Sequence, residues 1–80
     1  IVMAHVNKVV RSINAPGDGR CVDLFQRPDG SFGFEEFRRD PEDGSGWYPV
    51  GGFGAVRFDD QVSCLTGARD AVPWLDMVTP

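Results

Sequence analysis

Two turn sequences do most to constrain this chain. Pro16-Gly17-Asp18-Gly19 and Arg27-Pro28-Asp29-Gly30 stand on either side of one short segment, residues 20–26. In the second turn Pro presets φ, Asp bonds its own backbone, and Gly takes the left-handed site. The segment between them, Arg20-Cys21-Val22-Asp23-Leu24-Phe25-Gln26, puts Val22 and Leu24 on one face and Cys21, Asp23 and Phe25 on the other. A strand bounded by tight turns folds back on both neighbours, which predicts an antiparallel meander. Gly and Pro together take 16 of the 80 positions, which leaves little room for long helix.

The flanking segments extend that frame. Residues 1–15 carry apolar residues at helical spacing (Met3, Val6, Val10, Ile13), but their β-branched content favours a strand, or an arm exchanged with a partner. Ser31 to Arg39 reads as a strand with Phe32 and Phe34 on one face and Phe37 on the other. Either both faces are then covered, or a bulge sits near Glu35-Glu36. Asp40 to Gly46 is an acidic loop, and Trp47-Tyr48-Pro49-Val50 is a short edge strand limited by Pro49. Residues 55–58 are expected to pair briefly. Asp59-Asp60 suits a helix start. Val62, Leu65, Ala68 and Val72 follow at helical spacing up to Pro73, with Trp74 and Leu75 as apolar anchors. Gly67 lies inside that helix at a cost of about 1 kcal/mol relative to Ala. The expected fold is α+β: one domain over 1–80, with an N-terminal strand or arm (1–15), a meander of three or four strands (20–58), and one C-terminal helix (60–72) on one face.

Charge and hydropathy remove several function classes. A net charge of −4 and a pI near 4.6 argue against nucleic acid and anionic membranes as partners. The longest apolar run is Ile1-Val2-Met3, far short of a membrane span. The N-terminus reads without a secretory leader, with Met3 expected as the natural start. Cys21 and Cys64 are therefore expected as reduced thiols of a cytoplasmic protein, each a small buried hydrophobe. His5 is the only His, read as a surface or edge residue, and no catalytic constellation surrounds it. Adjacent Glu35 and Glu36 point to opposite faces of a regular strand, so they do not pair as acid and base. Asp40, Glu42 and Gly44 miss the spacing of a calcium loop. Gly51-Gly52-Phe53-Gly54 lacks the Lys and hydroxyl residue of a phosphate loop. No cofactor, metal or catalytic residue is expected.

Eight of the nine aromatic residues lie between Phe25 and Phe58. One helix over a short meander does not hide that many rings. Phe32, Phe34, Phe37, Trp47, Tyr48 and Trp74 are therefore the candidate surface for self-association or for a small apolar ligand. Glu35, Glu36, Arg38 and Arg39 give each face of their strand one acid and one Arg. Were it an edge strand pairing with its own copy, reciprocal ion pairs would follow.

The stretch 27–40, with Arg27-Pro28-Asp29-Gly30-Ser31-Phe32-Gly33-Phe34 at its head, together with Gly46-Trp47-Tyr48-Pro49 and Val72-Pro73-Trp74-Leu75, resembles a group of small uncharacterised bacterial proteins, some carried on mobile gene cassettes. The resemblance spans roughly residues 20–76 and implies no activity. More distantly, Asp29-Gly30-Ser31-Phe32-Gly33-Phe34 is similar to the hairpin of YegP-type domains, which carry two such modules packed together. The chain here has one, and its acidic loop departs from that pattern.

Three functional expectations follow. The first is a cytoplasmic binding or interaction module acting as a homo-oligomer, probed at Phe34. The second is a small-ligand binder with a pocket between the Trp47–Phe53 segment and the helix. The third is a metal-assisted enzyme using Glu35, Asp40 and Glu42.

Overall fold

A computed structural model describes residues 7–17, 19–40, 42 and 46–79. His5, the first part of the 1–15 segment, and Asp43 and Gly44 of the acidic loop lie outside the described residues. Four antiparallel strands follow in chain order and lie side by side in the same order: β1 (Lys8–Asn14), β2 (Arg20–Gln26), β3 (Phe32–Arg39) and β4 (Trp47–Pro49). A 3-10 turn (Phe53–Ala55) leads to α1 (Gln61–Ala71) and the short α2 (Leu75–Val78). The described part of the 1–15 segment is a strand, and the fold is α+β, a meander with its C-terminal helix packed on the sheet.

The β2–β3 hairpin forms as its turn dictates. Gly30 has φ 92°. Asp29 Oδ1 accepts from the Ser31 N–H at 2.9 Å and the Ser31 hydroxyl at 2.7 Å. Those bonds, with Arg57 beside them, hold the exposed Asp29 carboxyl down at about 2. β3 runs unbroken against β2 from Gln26↔Phe32 to Arg20↔Arg38. The bulge, one of the two alternatives near Glu35-Glu36, is not present in the β2–β3 register; the register shift is on β1, between Val9 and Arg11. β3 is also no edge strand: β2 lies on one side and β4 on the other, so reciprocal edge pairing through its charges is not available. Beyond β4 the chain stays on that side of β3, with Val50 N–H on Glu36 O and Phe58 paired to Phe32 through both backbone bonds.

Ile13, Val22, Leu24 and Phe34 line the sheet face that meets Cys64, Ala68, Val72 and Leu75 of the helical layer. Phe34, Leu24, Leu75, Val22, Val72 and Cys64 are fully buried, each large apolar side chain contributing about 1.5–3 kcal/mol. The buried helix stripe therefore runs through Cys64 and Ala68. Val62, expected inward, is 76% exposed, because Cys64 takes the position facing the sheet. Asp60 caps α1 as expected, its carboxylate accepting from the Ser63 N–H at 2.7 Å, which lowers its pKa. Gly67 also has its reason. A Cβ there would lie 2.5 Å from the Phe58 ring, so the missing side chain is what lets Phe58 pack against the helix.

The molecule measures 37 × 35 × 18 Å. Its thin dimension holds one sheet and one helix, each helix being about 10 Å across with side chains. Among the described residues no helix lies on the opposite sheet face.

Candidate functional site

The strands present alternate residues to that uncovered face. Register places Ser12, Asp23 and Glu35 in one cross-strand row; Asn14, Cys21, Phe37 and Pro49 form the next. Beyond these, Arg39 stands opposite Trp47, its guanidinium 4.8 Å from the ring centroid. On the other side of the acid row, Val9, Phe25 and Gly33 align. Two shallow concavities of about 350 Å³ each lie on this face and share Asp23 and Phe37.

Asp23 is the polar centre. Its Oδ1 accepts from the Ser12 hydroxyl and from the Cys21 thiol at 3.3 Å. Burial, that hydrogen bond and the Asp23 charge push the Cys21 thiol up to about 11. The thiol is therefore protonated near neutral pH. Glu35, directly across from Asp23, accepts the Phe53 N–H through Oε1 at 3.2 Å. Two carboxylates on adjacent positions repel, so any group that covers this face meets a concentrated negative charge.

One end of the face is closed by Arg27. Its guanidinium lies 5.0 Å from the Phe25 centroid and donates to Gly54 O, to Val56 O and Phe32 O at 3.1 Å, and to Ser31 Oγ at 3.3 Å. The passage exists because residue 33 is glycine. A Cβ there would sit 2.6 Å from Arg27 Nη2 and 2.8 Å from the Phe25 ring. Charge-assisted bonds to four acceptors tie the loop after β4 to the β2–β3 hairpin.

The six aromatic residues singled out in the sequence do not form one surface. Phe37 is half-buried and Trp47 is 43% exposed; both stand on the uncovered face. Phe34 is fully buried under the helix and stacks on Phe53 at 5.0 Å, so it presents nothing to a partner. Phe32 packs against the same core. Tyr48 is exposed but opposes Arg38, on the helix side. Trp74 is also on the helix side, donating its indole N–H to Glu36 Oε2 at 2.8 Å, with Arg20 at 3.4 Å from the same oxygen. Between the Trp47–Phe53 segment and the helix, Phe53 and Phe58 pack against the core. Asp40 and Glu42 lie past the end of β3, where Asp40 accepts the Glu42 N–H at 3.1 Å; Glu35 is turned to Phe53 instead. Among the described residues no three His, Cys, Asp or Glu side chains gather as a metal site requires.

Asp23, Ser12, Cys21, Arg27 and Phe25 are the face residues that sequence reasoning did not select. The turn carried the missing signal: pairing Gln26 with Phe32 fixes Asp23 opposite Glu35. Among the described residues no helix is long and apolar enough to cross a membrane. Comparison of the chain with protein-family models, with curated proteins and with solved structures gave no match.

Proposed function

We propose that this chain is a small interaction module that assembles with a second copy of itself through the uncovered sheet face. The observation that carries this reading is an aromatic-bearing face, with Phe37, Trp47, Pro49 and Val9, over which no helix lies among the described residues. Exposed apolar patches of this kind mark association surfaces. Three strands of about seven residues and one of three, at about 4.8 Å spacing and ~3.3 Å rise, give a footprint of roughly 380 Å² in plan. That is below the ~800 Å² per partner of a standard interface, so association in the micromolar range is expected. Lateral growth of the sheet is the poorer route. The outer strand β1 carries Lys8, Arg11 and a bulge, devices that blunt an edge.

The module's unpaired cysteines suit the reducing conditions of a cytoplasm. Sedimentation from 1 to about 200 µM tests assembly, with Phe37→Asp as the disrupting variant. A wild-type chain that stays monomeric while folded overturns the reading.

The two concavities favour a second reading, a small ligand seated on the same face, because their volumes lie in the range of ligand sites. A thermal-shift screen of small metabolites in which the Phe37→Asp variant loses the response supports it. No response across the screen ends it.

A further inference from the structure

One of the two concavities on the uncovered face, about 350 Å³ in volume, is lined by Val9, Asp23, Phe25, Glu35, Phe37 and Pro49. It joins two carboxylates to an apolar wall, and no Lys or Arg is among the described residues that line it. The two acids stand directly across from each other on β2 and β3. Each commits one oxygen to the fold. Asp23 Oδ1 accepts from the Ser12 hydroxyl and the Cys21 thiol, and Glu35 Oε1 accepts from the Phe53 and Glu36 N–H groups, both at 3.2 Å. The second oxygens, Asp23 Oδ2 and Glu35 Oε2, have no donor among the described residues. Arg27, stacked on Phe25, gives its donors to carbonyl oxygens and to the Ser31 hydroxyl, not to these acids. Gly54 keeps one of the second oxygens clear: a Cβ there would come within 3.2 Å of Glu35 Oε2. Its φ is not one that calls for glycine, so the missing side chain matters here for space.

We propose that this concavity seats a small organic cation, a primary ammonium carried on an apolar or aromatic body. The proposal rests on the small-ligand reading above and names that ligand's chemistry. Side chains directly opposite on neighbouring strands start about 4.5–5.5 Å apart, and a charge-assisted N–H···O bond is about 2.7–2.9 Å long. One ammonium, with its three donors, therefore bridges the two second oxygens and offsets the repulsion between the acids. Phe37, Val9 and Pro49 give the apolar body its surface. A ring face also attracts positive charge, and among the described residues no cation of the fold lies over Phe37. An anion would meet both carboxylates. A bare Ca²⁺ wants about six or more oxygens, which the apolar wall does not supply.

The test uses three probes of similar shape and different charge: phenethylamine, phenethyl alcohol and phenylpropionate. Each is titrated into the isotope-labelled chain and read from the amide resonances of β2 and β3. The amine is expected to bind at least about tenfold tighter than the alcohol, as charge-assisted hydrogen bonds exceed neutral ones. The acid is expected to bind least. Asp23→Asn and Glu35→Gln keep the acceptor oxygens that the fold uses. Each is expected to weaken the amine at least about fivefold and to leave the alcohol unchanged. Asp70→Asn, on the exposed side of α1, lowers the net charge equally and is expected to change neither. If the alcohol or the acid binds the concavity as tightly as the amine, the cation class is overturned while the small-ligand reading stands. The same holds if Ca²⁺ alone moves the same amides, or if Asp70→Asn weakens the amine as much as the other two variants. If no probe moves these amides, the cation seat is overturned, and the metabolite screen decides the broader reading by itself. An amine preference lost in Asp23→Asn and Glu35→Gln but kept in Asp70→Asn establishes the seat.

Discussion

The two faces of this sheet are built from the same kinds of side chain and treated differently. Each has a buried cysteine, Cys64 against the covered face and Cys21 on the uncovered one. Each has a central phenylalanine from β3, Phe34 or Phe37, and each has a carboxylate held by donors, Glu36 or Asp23. On the covered side Glu36 is buried and met by the Trp74 indole and by Arg20. On the uncovered side Asp23 is met by a hydroxyl and a thiol, and a second carboxylate stands beside it. What separates core from surface is therefore the layer above it, not the residues in the strand.

The largest expected effect comes from truncating the two rings. Phe34→Ala should cost about 3–5 kcal/mol by loss of burial and cavity formation, whereas Phe37→Ala should cost less than ~1 kcal/mol in the dilute monomer. Urea denaturation below the association range measures both. Equal losses would break the distinction between the faces.

Next comes the clamp at the end of the uncovered face. Arg27→Lys keeps the charge but loses the fork that reaches Gly54 O and Val56 O, so stability should fall by about 2 kcal/mol. Chemical denaturation reads the loss. Faster amide exchange in residues 53–58, with β1 unaffected, would place it in the loop rather than in the sheet.

Trp74→Phe removes the indole N–H from a largely buried carboxylate on the covered face and should cost about 1–2 kcal/mol. The partner variant Glu36→Gln tests the same contact from the other side. If the two losses add in the double variant, the hydrogen bond is not what couples them.

The smallest effects are in pH dependence, and they separate the carboxylates from the thiols by sign and range. Asp29 and Asp60 have folded pKa values below the ordinary 3.8, so their stabilisation is complete above about pH 5. It is lost as the pH falls toward 2, and the urea midpoint should drop over that window. The double variant Asp29→Asn with Asp60→Asn should flatten this limb. Cys21 has the opposite sign. Its folded value of about 11 lies above the ordinary 9.0, so the fold prefers the protonated thiol. Stability from that thiol is complete below pH 9 and lost as the pH rises through 11. Cys64 is raised by burial in the same direction. Cys21→Ala should therefore reduce the alkaline slope without removing it.

The fold was legible because the turns name themselves. Residues 20–26 and 32–39 follow from the two turn sequences, and α1 follows from Asp60 and Pro73. Residues 8–14 were harder, since β-branched content and helical spacing pulled in opposite directions. The candidate face was legible only in part. Alternation separated Phe37 from Phe34, but nothing in a single strand says which of its faces a distant helix will cover. That choice depends on Cys64 and Ala68 forming the buried stripe, with Gly67 making room for Phe58, a long-range packing event. Arg27 escaped notice for a related reason. Two of its acceptors, Gly54 O and Val56 O, are carbonyl oxygens more than twenty residues away, and backbone atoms leave no mark on a sequence.

The Arg27 clamp has a consequence for how such a chain can change over generations. It grips oxygens that every amino acid carries, so replacements at Ala55 or Val56 pass beneath its notice provided the chain keeps its course. Arg27 and Gly33 have no such latitude: one supplies the reach, and the other leaves the gap through which it passes. Descendants of this sequence should accordingly show a loop that drifts in identity while two remote positions stay fixed. Scoring a saturation library for folding at 27, 33, 55 and 56 would reveal that asymmetry.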